Sequence, residues 1–225
     1  TGMLIELSPY KFRGPGGRGS PEPWVHVLPI PDSYRREGTD FSGEAESALE
    51  GAGEVAGLII ETMLSCAGQV PLPEEYLSTT SEAVREKGGL LLADEVQVGF
   101  GRVGTHMWAF EESGVIPDIV VMGKPMGNGH PMGAVFTTQD IASSFGSMEF
   151  FSTFGGNPVS CAIGSAVLDV IESENLMEAA CSLGDRFLKG LHSLMESHEI
   201  VGDVRGRGLF LGFEMVRDRA TKEPA

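Results

Sequence analysis

Two apolar runs that each finish on a carboxylate, residues 57–61 (Leu58-Ile59-Ile60 before Glu61) and residues 89–94 (Leu90-Leu91-Leu92-Ala93 before Asp94), bracket a stretch of helical periodicity over residues 74–87, behind Pro73. Runs this short and this continuously apolar read as strands of a parallel sheet, buried on both faces. A strand, a helix and a second strand in that order form the crossover unit that parallel pairing needs. The alternation continues beyond them. Residues 118–122 and 132–137 read as further strands and 138–146 as a short helix. Residues 157–172 and 174–198 carry long helical patterns, and 208–216 returns to strand. The fold class this predicts is α/β, a central, mostly parallel sheet flanked by helices. Two long helices followed by a strand predict passage into a smaller C-terminal α+β domain. The expected division is a major domain over 1–156, an inter-domain helix over 157–173 and the beginning of a small domain over 174–225.

Both ends of the chain read as interior sequence, Thr1-Gly2-Met3 at one and Lys222-Glu223-Pro224-Ala225 at the other, so a segment of a longer protein is expected. Residues 13–23, rich in Gly and Pro, predict an irregular loop. A net charge of −16 argues against nucleic acid or an anionic membrane as partner, since both repel an acidic surface. Six acids and no base lie between Glu37 and Glu54, and read as a solvated loop and helix face. No apolar run approaches a membrane span. Three cysteines, Cys66, Cys161 and Cys181, form no CxxC pair, which favours reduced thiols and a cytoplasmic location.

Lys124 carries the most chemical information. It is one of five lysines and follows the apolar run Ile119-Val120-Val121-Met122 after a single glycine. Such a position predicts a desolvated amine, and desolvation favours the neutral form that attacks an aldehyde to give a Schiff base. The alternative is a lysine that snorkels to solvent at a strand end. The small residues in Pro125-Met126-Gly127-Asn128-Gly129-His130-Pro131 leave room beside the amine for a flat ligand. Glu61 and Asp94 stand where open parallel sheets bind ligands, at the carboxyl ends of strands, unless they serve as caps or solvated acids.

Gly99-Phe100-Gly101-Arg102-Val103-Gly104 matches the dinucleotide pattern GxGxxG. That pattern acts only between a strand and the helix it opens. Here residues 94–98 intervene, and Thr105-His106-Met107-Trp108 is a poor helix start, so a nicotinamide or flavin site is rejected. The five histidines show no metal-ligand spacing, and neither a GxSxG elbow nor a P-loop is present.

Three blocks in this order resemble the class-III aminotransferases, a branch of the fold-type-I pyridoxal-phosphate enzymes. They are Leu92-Ala93-Asp94-Glu95-Val96-Gln97-Val98-Gly99-Phe100-Gly101-Arg102, Pro117-Asp118-Ile119-Val120-Val121-Met122-Gly123-Lys124, and Thr153-Phe154-Gly155-Gly156-Asn157-Pro158. The resemblance implies pyridoxal 5'-phosphate as cofactor, with Lys124 bonded to it covalently and later moving the substrate proton. It implies that Asp94 holds the pyridine nitrogen, with Gln97 near the ring hydroxyl and Glu61 in the cofactor site. Thr153 would reach the cofactor phosphate of a neighbouring subunit, hence a homodimer. Ser8-Pro9-Tyr10-Lys11-Phe12, Glu61-Thr62-Met63-Leu64-Ser65-Cys66-Ala67-Gly68-Gln69 and Lys124-Pro125-Met126-Gly127-Asn128-Gly129-His130-Pro131 resemble the phospho-lyases that act on phosphoethanolamine or phosphohydroxylysine, the last block being shared in part with alanine–glyoxylate-type transaminases. The implied substrate is a small amine or phosphorylated amine, and transamination to a keto acid is the alternative. Arg205 matches a position that binds a substrate carboxylate, and is structural if the substrate lacks one. Lys11, Arg13 and Arg102 are the candidates to hold a leaving phosphate, the alternative for each being a surface or structural role. The phosphate-cradling loop and the ring-stacking aromatic of the family normally precede the first residue here, which leaves an incomplete, non-catalytic fragment as a further reading.

Overall fold

The computed structural model describes residues 6–8 and 16–225. Lys11 and Arg13, two of the expected phosphate-holding cations, lie outside them.

Helix α1 (Phe41–Glu50) lies within the acidic stretch. Asp40 caps it by accepting from the Gly43 N–H at 3.0 Å. Phe41 and Ala45 turn inward against Tyr76, while the acids face out and Glu44 pairs with Arg36. Next come β1 (Gly57–Glu61), the small hairpin strands β2 (Met63–Leu64) and β3 (Val70–Pro71), α2 (Tyr76–Glu86), β4 (Leu90–Asp94) and β5 (Ile119–Met122). β6 (Ala134–Thr137) closes the sheet, whose order is β1-β4-β5-β6. β1, β4 and β5 pair in parallel and β6 returns antiparallel to β5.

Leu58, Ile60 and Leu91 share one face of the sheet. There they meet Leu77 of α2 and Val115, with Leu91 fully buried. The opposite face is barer. Ile59 is 40% exposed and Val135 more so, and on the first face only Phe136 of the edge strand β6 is bare, so the expected cover on both faces is met mainly on one. The Ile59 side carries Glu61 and Asp94, because side chains alternate along a strand.

α3 (Gln139–Gly146) follows the sheet, capped by Thr138. α4 (Pro158–Ser173) starts behind an Asn157 cap with proline in its first turn, where the missing N–H does no harm. α5 (Leu176–Ser197) lays Leu188, Leu191 and Met195 over Val201 and Val204. Those valines belong to a second, antiparallel sheet, β7 (Val201–Arg207), β8 (Phe210–Asp218) and β9 (Glu223–Pro224). The sequence reading assigned a strand only to 208–216 and missed β7.

The loop after β4 meets α5 and the turn between β7 and β8 along a seam of glycines. A Cβ on Gly101 would stand 2.5 Å from Met177, one on Gly104 2.7 Å from the Cys181 nitrogen, and one on Gly208 2.4 Å from the Val103 backbone. The glycines of the rejected dinucleotide pattern therefore serve packing. The Leu209 N–H donates to the Arg102 carbonyl at 3.0 Å across the same seam.

Candidate active site at the carboxyl ends of the parallel strands

β4 ends in two successive acids that point opposite ways. Asp94 is half-buried, and its Oδ1 accepts from the Val96 N–H at 3.0 Å. Its other oxygen makes no hydrogen bond among the described residues. Burial pushes this carboxyl above the ordinary range, the Val96 bond pulls it back, the Glu61 charge pushes it up further and the Lys124 ammonium draws it down. Glu61 is Asp94's register partner on β1, and its carboxylate accepts a short bond from the Ser65 N–H.

Glu95 is fully buried. Its carboxylate accepts from Thr62 Oγ1 at 2.6 Å, from Ala109 N at 3.0 Å and from Phe110 N at 2.9 Å. It thereby ties the end of β1 to the 3-10 turn Ala109–Ser113, whose N-terminal amides need acceptors. Burial is the largest influence on its carboxyl and raises it; the three donors oppose that rise. Sequence reading passed over Glu95. Two acids in succession at a strand end were the available signal, since one of them must face the interior.

Lys124 follows β5 and opens the 3-10 turn Lys124–Gly127. Its φ of 20° is one that non-glycine residues rarely adopt, a form of backbone strain that clusters at functional sites. The amine is exposed, contrary to the expected desolvation, because the cavity it lines opens to solvent. That cavity, of about 410 Å³, is lined by Gln97, Arg102, Lys124 and Asn128, and by Leu209 and Phe210 where the second sheet begins its strand β8.

Lys124, Gln97 and, through its charge on Asp94, the end of β4 thus come together. Thr153 is exposed and is not part of the cavity wall. Neither is Arg205. Its guanidinium pairs with Asp203 at 2.5 Å and Glu214 at 3.3 Å, and donates to the Gly68 carbonyl at 2.9 Å. Burial alone would weaken its hold on the proton, but Asp203 and Glu214 outweigh that and raise its pKa. No cluster that could hold a metal occurs among the described residues, and none of their helices is long and apolar enough to cross a membrane.

The class-III aminotransferase family model matches residues 17–225. The chain belongs to the class-III aminotransferase family. Among similar proteins, this class-III chain is 48% identical to the alanine–glyoxylate aminotransferase 2-like protein of Drosophila melanogaster, over 98% of its own length and 48% of the relative's. It is 41% identical to ethanolamine-phosphate phospho-lyase homolog 1 of Caenorhabditis elegans, over 98% of the chain and 52% of that protein. The chain therefore spans about half the length of the curated relatives it matches. Among solved structures, a phospholyase from Arthrobacter in complex with phosphoethanolamine superposes with a TM-score of 0.89 at 37% identity, over all of this chain and 55% of that one. An (S)-enantioselective omega-transaminase from Thermomicrobium roseum gives 0.85 at 34%, over 98% and 52%.

Membership implies pyridoxal 5'-phosphate as cofactor, and the donor set fits it. An open cavity holds an amine for an aldehyde, with an amide beside it and, at the adjoining strand end, a carboxylate with a free oxygen for a ring nitrogen.

Proposed function

We propose that this chain is the central portion of a pyridoxal-phosphate enzyme that eliminates phosphate from a small phosphorylated amine. The single observation that carries the reading is an amine and a carboxylate on neighbouring strand ends, Lys124 and Asp94, close enough that the charge of one acts on the other. The fold match to a phospholyase holding phosphoethanolamine favours the lyase. The 48% identity to an aminotransferase 2-like protein favours a second reading, transfer of the amino group to a keto acid.

When bound, the cofactor supplies an electron sink for the substrate carbon next to the amine. Lys124 Nζ would hold it covalently, and Asp94, through its free oxygen, would keep a proton on the ring nitrogen. Gln97 would lie beside the ring hydroxyl, and Glu61 would sit behind Asp94 and shape its charge. Once a substrate amine takes its place, Lys124 Nζ accepts the proton from the substrate carbon as a general base. In the lyase reading phosphate then leaves the adjoining carbon, and amine plus water become aldehyde, ammonia and phosphate. In the transfer reading Nζ returns the proton elsewhere and no phosphate is released. A homodimer is part of the proposal, supported by the exposed Phe150, Phe151 and Phe154 around Thr153. So are the cytoplasmic location and the domain division at 156 and 173.

The test uses the full-length protein with phosphoethanolamine and no keto acid, followed by an assay of free phosphate. Release that Lys124→Ala abolishes is expected. Keto-acid-dependent amine transfer without phosphate release would replace the lyase with the transaminase. A cofactor that borohydride cannot fix in wild-type protein would remove both.

A further inference from the structure

The cavity beside Lys124 is cationic in an acidic chain. In a chain of net charge −16, two cations line it, Arg102 and Lys124, and no carboxylate does. Seven other arginines form ion pairs with acids. The Arg102 side chain has no ion pair or hydrogen bond among the described residues, although acids outnumber bases two to one in the sequence.

An unpaired guanidinium in an acid-free pocket raises the local concentration of anions and presents a planar fork to an oxyanion. The fork is carried on a fixed backbone. The Arg102 carbonyl accepts from Leu209 N at 3.0 Å, and the flanking Gly101 and Gly104 pack tightly against Met177 and Cys181. Leu209 and Phe210 add an apolar wall suited to a short methylene spacer. Once the Lys124 amine is committed to an aldehyde, Arg102 is the remaining cation of the cavity wall among the described residues.

We infer that Arg102 is the specificity-determining residue of this site and holds an oxyanion carried by the amine substrate, at the far end of a short chain from the reacting amine. The inference rests on the proposed function and narrows its substrate class to small amines bearing a phosphate or carboxylate.

The experiment uses the full-length holoprotein, wild type and Arg102→Gln, and follows the cofactor absorbance as phosphoethanolamine, β-alanine or the uncharged-tailed propylamine is added. Cofactor dissociation constants are measured in parallel. Arg102→Gln is expected to weaken at least one oxyanion-bearing amine by roughly ten- to a hundredfold, the worth of a hydrogen bond to a charged group. Propylamine binding and cofactor affinity should not change, and Arg102→Lys should recover part of the loss. Which oxyanion suffers more tells phosphate from carboxylate. Equal weakening of all three amines, no weakening of any, or a fall in cofactor affinity would overturn the assignment, the last by giving Arg102 to the cofactor's own phosphate. Wild-type protein that takes no cofactor would instead sink the proposed function, and this inference with it.

Discussion

Glu61 and Asp94 occupy the same register position at the carboxyl ends of two adjacent parallel strands, so their carboxyls share one edge of the sheet. Burial is the larger reason why Asp94 resists ionisation, and Glu61 adds to it. A folded-state pKa above the unfolded value of about 3.9 means that the native chain binds more protons between those two values. Stability contributed by Asp94 therefore falls as pH rises through that window and stays lower above it. Asp94→Asn should raise the melting temperature of cofactor-free protein at pH 7 by about 1–2 °C, a small gain because the group is only half-buried. The gain should shrink as pH is lowered toward the ordinary carboxylate range. Melting curves across pH check this, and a gain that grows on acidification would contradict it.

Glu95 behaves differently although it is the next residue. Its three donors sit in the interior. Glu95→Ala leaves them without an acceptor and should cost about 3–5 kcal/mol, as for other broken buried networks. Glu95→Gln keeps one acceptor oxygen and should cost less. Urea midpoints at unchanged slope report the difference.

Arg205 offers a test between two roles. Its side chain is 13% exposed and meets two carboxylates and a carbonyl. Arg205→Ala leaves Asp203 without a cation and Glu214 with Arg35 alone, and should lower stability by about 1–3 kcal/mol, read again in urea. A variant that keeps its urea midpoint while the KM for a carboxylate substrate rises would assign Arg205 to substrate instead.

Much of the fold was legible because continuous apolar runs and helical periodicity are strong local signals. β1 was read to the residue, and β4, β5 and β6 to within two. β7 was missed for a physical reason. A register shift between Val201 and Asp203 breaks the two-residue alternation, so buried Val201 and Val204 fall out of step. At the site, Asp94 and Lys124 were legible as polar residues at the ends of apolar strands. The exposure of Lys124 was not, since it depends on how the second sheet stands across the cavity. Glu95 escaped because its donors come from the chain before and after it, at Thr62 and at Ala109 and Phe110. The role of Gly101 and Gly104 was invisible for the same reason, their neighbours being Met177 and Cys181.

The glycine seam can be tested within one helix. Gly184 and Gly190 both lie in α5, and helix propensity alone favours alanine at either by about 1 kcal/mol. Gly190 is exposed, and an added methyl there would meet nothing within 4 Å beyond the helix itself, so Gly190→Ala should stabilise by about 0.5–1 kcal/mol. A methyl on Gly184 would stand 2.1 Å from the Gly208 carbonyl oxygen, and backbone cannot step aside as a flexible side chain can. Overpacking typically costs about 1–3 kcal/mol, which exceeds the propensity gain. Gly184→Ala should therefore lower the urea midpoint while Gly190→Ala raises it. Because Gly208 adjoins Leu209, which donates to the Arg102 carbonyl, the Gly184 variant should also loosen the cavity wall at Leu209. Equal stabilisation by both alanines would mean that α5 and the turn between β7 and β8 do not press together at this seam.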